Sequence, residues 1–358
     1  MEQSELLAVI ERAGQDGSPE LNLADQGIDH LPPEIGDLSH LYELDLQDNS
    51  LQTLPVEIGN LRSLKGLHLC ANDGLTVLPR EIFSLTSLRD LSLPGYDTAV
   101  PPEISNLTNL EELHIAPGPL KTLPPEIGNL HNLSALNVWA TLLEKLPPEI
   151  GNLSNLKRLW LWNISFTPVD ALPSEIGRLR NLTSLFICGH KLTHLPPEIG
   201  DLCNLTELSL IGSGPAALPA EIGRLKKLEK LHIAGWNFTV LPPEIGELTN
   251  LKKLILINTP VRELPAEIGN LTELEELRIH SLPLETLPAE IGDLTNLKEL
   301  NIAGVPLKTL PAEIGKLSKL TKLTIRKADH QRLRTYIKQF PNLETLYFSP
   351  DPVRPTAN

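Results

Sequence analysis

The chain has 358 residues, of which 41% are apolar, 4% are aromatic and 32 are proline. A formal net charge of −14 excludes the basic surface that nucleic-acid binding needs. No run approaches the roughly 18 apolar residues of a membrane span, and three cysteines (Cys70, Cys188, Cys203) are too few and too scattered for a disulfide framework or a zinc site. The core must therefore be aliphatic.

The chain opens on a predicted amphipathic helix over residues 4–13, with Ser4 as N-cap and Leu6, Leu7 and Ile10 turned inward. The start is acidic and its apolar run, Leu6–Ile10, is five residues long. That is too short for a secretory leader, so a cytoplasmic location is expected. Residues 1–20 read as this capping helix and a linker.

A repeat follows. The residue before a key proline recurs at Leu31, Leu54, Leu78, Val100, Leu123, Leu146, Leu172, Leu195, Leu218, Leu241, Leu264, Leu287 and Leu310. The spacings are 23, 24, 22, 23, 23 and 26, and then 23 six times. Each is followed three residues later by Glu-Ile, from Glu34-Ile35 to Glu313-Ile314, and between them lie L-x-x-L-x-L segments such as Leu41-Leu44-Leu46. A 23-residue period of this pattern identifies a leucine-rich repeat. The predicted fold is an α/β repeat solenoid, a leucine-rich-repeat horseshoe with a parallel sheet of about 15 short strands on its concave face.

The physics of one unit follows from the spacing. Leu-x-Leu has period two, so it is a short strand with both leucines inward. The segment Leu-Pro-x-Glu-Ile-Gly turns the chain around the convex side, where proline lacks an N–H that would need a partner. Glycine after isoleucine suits a positive φ or a close backbone approach. The glutamates of this segment are expected on a solvated edge, capping the turns.

The array spans residues 21–325. Residues 326–348 read as a C-terminal cap, a helix with Asp329 as N-cap and Leu333, Tyr336, Ile337 and Phe340 on one face, then a last strand near Leu346–Phe348. Residues 349–358 are expected to be a disordered tail.

The repeat departs from its template at the ninth position, where asparagine or cysteine satisfies backbone groups between neighbouring turns. Only Asn49 and Asn72 comply; the slot elsewhere holds residues such as Gln26, Tyr96, Thr141, Ile164, His190, Trp236, Thr259, Leu282 and Val305. Glycine is frequent one place earlier (Gly95, Gly189, Gly212, Gly235, Gly304), so a tight turn pairing its own backbone groups is expected there.

The text LPPEIGNLTNLEEL resembles Ras-suppressor-type repeats and the repeat arrays of bacterial Roco proteins, over roughly residues 6–325. The GTPase domain that Roco proteins carry after the repeats has no counterpart in this sequence. The resemblance implies a bacterial chain, a role in signalling and binding of other proteins on the concave face.

The sequence holds none of the usual phosphate-loop, dinucleotide, zinc-protease or serine-hydrolase motifs. His68, His114 and His232 share one column of the sheet, never on adjacent strands, so no metal site is read from them. No enzyme activity and no cofactor are expected.

The outward columns of the sheet are more informative. The residues between and after the last two leucines of each unit include Trp139, Trp160 and Trp162, then Phe186, Ile211, Ile255 and Ile257. Trp160 and Phe186 are read as lateral neighbours, as are Trp139 and Trp162. An exposed apolar patch of this kind marks a binding site, and tryptophan is enriched at hot spots. A three-residue insertion near 167–171 follows the Trp160–Trp162 strand. Charge is polarised too: Glu20, Glu43, Asp45, Asp90 and Glu112 at one end, Lys230, Lys253, Arg278, Lys322 and Arg326 at the other. Such a gradient orients a partner. The predicted function is a monomeric, non-catalytic interaction module or scaffold that binds a protein partner on its concave face. The alternative is a bacterial effector that intercepts host signalling with the same surface.

Overall fold

The computed structural model describes residues 1–95, 100–140, 142–162 and 172–349, with backbone alone at 140, 190 and 191. The ninth-position residues Tyr96, Thr141 and Ile164, the His190 side chain, the insertion at 167–171 and the tail from 350 lie outside the described parts. Contacts divide the chain into two compact units, Met1–Val169 with Glu175–Leu182 and Asp170–Ser174 with Thr183–Asn358.

The first unit opens with helix α1 (Gln3–Asp16) and carries strands β1 (Glu20–Asn22), β2 (Glu43–Asp45), β3 (Gly66–His68), β4 (Asp90–Leu93), β5 (Glu112–Gly118), β6 (Ala135–Ala140) and β7 (Arg158–Trp162). Each pairs in parallel with the next, with every repeat's inward leucine beside its neighbour's, as in Leu44 beside Leu67. The second unit carries β8 (Ser184–Lys191), β9 (Glu207–Ser213), β10 (Lys230–Ala234), β11 (Lys253–Ile257), β12 (Glu276–His280), β13 (Glu299–Asn301), β14 (Lys322–Arg326), helix α2 (His330–Ile337) and β15 (Thr345–Ser349), again paired in sequence. The fifteen strands match the expected number.

Between strands the chain turns through five-residue 3-10 helices such as Pro33–Asp37 and Pro243–Glu247, so α-helix is confined, among the described residues, to the two ends. The amides of these turns bond three residues back, as Leu38 N–H does to the Ile35 carbonyl at 3.2 Å, which is the tighter 3-10 pattern. Proline at the N-cap accepts with its carbonyl, as in Ile35 N–H to Pro32 O at 3.1 Å. A proline N-cap has no side-chain acceptor, so these turns are uncapped there, and Glu34 is exposed.

The glycine after isoleucine serves close approach. A Cβ on Gly246 would lie 2.4 Å from the Glu267 carbonyl oxygen of the next turn. The leucine and isoleucine columns seal the interior; Ile35, Leu41, Leu44, Ile58 and Leu67 have no exposed surface. Buried side chains of this size each stabilise the fold by about 1.5–3 kcal/mol relative to exposure.

The asparagine ladder has two rungs. Asn49 Oδ1 accepts from Gln26 N–H (3.1 Å) and Ile28 N–H (2.9 Å), while Nδ2 donates to the Leu23, Leu46 and Gln47 carbonyls. Asn72 repeats the pattern one turn on. Beyond it the slot is filled by packing: Trp236, Leu282 and Val305 are buried, and Trp236 lies where a Cβ on Gly214 would stand, 2.1 Å from that Cβ.

The residue before the slot is left-handed in both units: Asp25, Asp48, Ala71, Asn258 and Ser281 have φ of 51–56°, and Gly235 and Gly304 have 76° and 71°. Its amide does not pair locally as expected. It reaches the next repeat, as in Asp48 N–H to Cys70 O (3.1 Å) and Asn258 N–H to His280 O (3.0 Å).

Both caps differ in detail from expectation. Helix α1 begins at Gln3 with Glu2 as an N-cap that makes no side-chain bond, and it buries Leu6, Ile10 and Ala13 while Leu7 is half-buried. Asp329 does not cap α2 with its side chain. It is the last residue of a 3-10 turn (Lys327–Asp329), in a helical conformation, and its carboxylate takes Arg326 Nε at 2.7 Å and Arg332 at 2.5 Å instead.

Asn49→Ala strands several buried amides and carbonyls and should destabilise the first unit by about 3 kcal/mol. Amide hydrogen exchange should quicken first at Gln26 and Ile28. Thr259→Val, at the same slot, removes a hydroxyl oxygen that is buried without a partner; it should be neutral or stabilising.

Candidate functional site

The outward face of the first unit's sheet bears a groove of about 610 Å³, lined by β3 to β7 and by Gln47 just after β2. Strand alternation builds it. Leu159 and Leu161 point into the core at 0% and 2% exposure, so Trp160 and Trp162 project outward, both half-buried. Trp139 is 43% exposed and its ring lies 5.4 Å from that of Trp162, tilted by 45°. The expected pairing of Trp139 with Trp162 is therefore present, and Trp139 and Trp160 line the groove.

The remaining expected residues lie in the second unit. Phe186, Ile211, Ile255 and Ile257 all occupy outward positions there and are half-buried. Ile211 stands beside Cys188 and Ala234, and Ile255 stands between His232 and Arg278. Polar and small neighbours thus interrupt this apolar set. The basic end of the charge gradient is largely internally paired: Lys230 with Glu207 at 2.5 Å, Lys253 with Glu276 at 2.9 Å, and Arg278 with Glu276 and Glu299.

The floor of the first unit's groove is polar, and column-by-column reading missed its organisation. His68 Nε2 lies 2.5 Å from Glu43 Oε1 and its Nδ1 3.3 Å from Ser92 Oγ. Asn137 Nδ2 lies 2.8 Å from His114 Nδ1, and His114 Nε2 3.5 Å from Glu112 Oε2. Arg158 reaches both oxygens of Glu112 at 3.1 and 3.2 Å. Asp90, Glu112 and His114 offer ligand atoms within 4.8 Å of one another. Burial raises the Asp90 carboxyl above its usual range, against the pull of His68 and His114. The signal lay in combining the acidic column with the histidine column on β4 and β5, two columns considered separately in the sequence.

Burial, with Asp48, Asp90 and Asp45 nearby, raises the pKa of Cys70, so it stays protonated at neutral pH. Its Sγ contacts the Leu93 carbonyl at 3.5 Å.

The profile of the leucine-rich repeat region matches residues 20–119 and 207–302, more than half of the chain. The chain is a leucine-rich-repeat protein. It is similar to a leucine-rich-repeat protein of Leptospira interrogans, with 33% identity over 94% of this chain and 98% of that one, and a TM-score of 0.66. It is also similar to an internalin, InlF of Listeria monocytogenes, at 19% identity over 89% and 93% of the two chains with a TM-score of 0.69, a likeness of fold alone. A third likeness is to the plant peptide hormone receptor RGFR1, solved in complex with RGF2: 26% identity, 83% of this chain, 65% of that one, TM-score 0.51. A search of curated proteins finds no match. Among the described residues no helix is long and apolar enough to cross a membrane.

His232 in the second unit supplies a test of the site electrostatics. Its Nδ1 faces Ser209 Oγ at 3.2 Å, and burial, then Lys253, lowers its pKa. The unfolded chain therefore takes up this proton first as pH falls below about 6.5. Its contribution to stability is complete above that value and declines on acidification until the lower folded pKa is reached. His232→Gln should flatten the fall of thermal midpoint between pH 7.5 and 5.5; an unchanged slope would show that His232 does not govern it.

Proposed function

We propose that this leucine-rich-repeat protein is a non-catalytic interaction module whose outward sheet face binds an extended segment of a protein partner. The observation that carries the reading is the groove beside Trp139, Trp160 and Trp162, an apolar wall on a rigid sheet. Aromatic anchors of this kind dominate binding energy where they become fully desolvated. Phe186, Ile211, Ile255 and Ile257 extend the reading to the second unit. The likeness to a hormone receptor in complex with RGF2 supports a peptide-like occupant. The acidic side chains Glu43, Asp90 and Glu112 orient the basic side of that partner toward β2–β5.

In this reading residues 21–325 are the working array and residues 1–20 and 326–348 are caps that shield its apolar ends. The chain acts as a monomeric cytoplasmic signalling scaffold, in line with its resemblance to Ras-suppressor and Roco repeats. The likeness to a Leptospira protein over nearly the whole of both chains supports a bacterial source. An effector acting on host signalling would use the same face.

Peptides selected by display against the intact protein test the reading. Trp160→Ala with Trp162→Ala should weaken their binding about thirtyfold, equal to about 2 kcal/mol. The melting temperature should hardly move, because outward side chains leave the leucine interior intact. Leu161→Ala, between them but inward, should cost about 2–5 kcal/mol of stability. Peptides that bind the double variant as well as the parent would place the site elsewhere.

A further inference from the structure

Two oxygens on the groove floor are buried and have no hydrogen-bond partner among the described residues, Asp90 Oδ1 and Asn137 Oδ1. Leaving such groups bare costs about 1–3 kcal/mol each, more for a charged one. Both flank His114. From these two orphans and the cluster around them, we infer that Asp90, Glu112 and His114 form a binding site for a divalent transition-metal ion, with Asn137 positioning the imidazole.

The hydrogen-bond geometry leads there in two steps. The nitrogen and oxygen of the Asn137 amide exchange places by a half-turn about Cβ–Cγ. Turned so, Oδ1 takes the position 2.8 Å from His114 Nδ1 and accepts its proton. The tautomer is then fixed, as outer partners commonly fix ligating histidines, while Nδ2 takes the buried place that Oδ1 leaves. The lone pair is left on Nε2, which lies 3.5 Å from Glu112 Oε2 and close to Asp90. Three acceptors then converge with no proton between them, and a divalent cation satisfies all three while balancing two carboxylate charges.

The donor set selects the metal. One imidazole nitrogen and two carboxylate oxygens suit zinc better than calcium, which prefers oxygen alone. The ligand atoms lie within 4.8 Å of one another and must close to about 3.4 Å around a zinc with bonds near 2.1 Å. Side-chain rotation of Asp90 and Glu112 supplies this. Glu112 keeps one oxygen for Arg158 while the other turns to the metal. The remaining coordination positions face the groove. The second unit has no equivalent among the described residues, since His232 meets Ser209 and Lys253 rather than carboxylates.

The site shares Asp90 and Glu112 with the partner-binding reading, but the two fail separately, because metal affinity is measured on the isolated protein. Calorimetric titration of chelator-treated full-length protein with zinc chloride should show one ion per chain and a raised thermal midpoint. Asp90→Asn, nearly isosteric, should weaken zinc at least tenfold, and His114→Gln likewise. Asn137→Ala should retain one site with affinity reduced 10–100-fold, the usual effect of losing an outer partner. Circular dichroism shows that each variant is folded. Cys70→Ser and His232→Gln should bind as the parent does. Absence of zinc binding, equal binding by a folded Asp90→Asn, or loss of binding in Cys70→Ser would overturn the assignment.

Discussion

No repeat of this chain can close its own interior. A 23-residue unit offers inward leucines from the strand and, from the turn side, an isoleucine with further leucines such as Leu38 and Leu41, and both faces of that set need a neighbour. The neighbour has to come close enough. At the turns, glycine makes this possible: a side chain on Gly36 or Gly246 would meet the backbone of the following turn at 2.7 or 2.4 Å. The strand spacing, the buried leucine columns and the direction of every outward side chain follow from that approach. Proline is the counterpart on the same segment, for it presets the backbone where the 3-10 turn begins.

The period, the strand positions and the inward register were legible because leucine spacing encodes them directly. Leu161, buried between two outward tryptophans, shows how reliably Leu-x-Leu sorts its faces. The turn type was less legible, since Pro-x-Glu-Ile-Gly fits either helical form until its five-residue length is fixed by neighbours. Cap chemistry was misjudged for a local reason: Asp329 looks like an N-cap in sequence, but two arginines within three residues compete for its carboxylate. The glycines before the ninth position marked a turn in the sequence, and the structure makes Gly235 and Gly304 left-handed. The same conformation was invisible at Asp48, Ala71, Asn258 and Ser281, where the fold imposes it on side-chain-bearing residues.

The candidate site was half legible. The tryptophans stand out because aromatic residues are so scarce in this chain. The polar floor is a property of two adjacent columns across five strands, from Glu43 on β2 to Asn137 on β6, and no stretch of sequence contains it. Apolar wall and polar floor share one groove but make different physical demands. The wall gains by shedding water. The floor holds carboxylates and histidines, and burial penalises the charge on Asp90. A fold selected for stability alone would fill such columns with threonine or valine, so the cluster marks a place where stability has been given up.

From Leu172 to Leu310 the period is 23 residues six times without exception. Hydrogen bonds there tie each repeat to the one before it, Glu229 N–H donating to the Thr206 carbonyl and Lys252 N–H to the Glu229 carbonyl. Any one of these units begins and ends on the same chemistry. The stretch is therefore a lattice in one dimension, in which a whole unit can be duplicated or deleted with its junctions intact. The number of repeats is a quantity that recombination can change in steps of one, and the outward face lengthens or shortens with it.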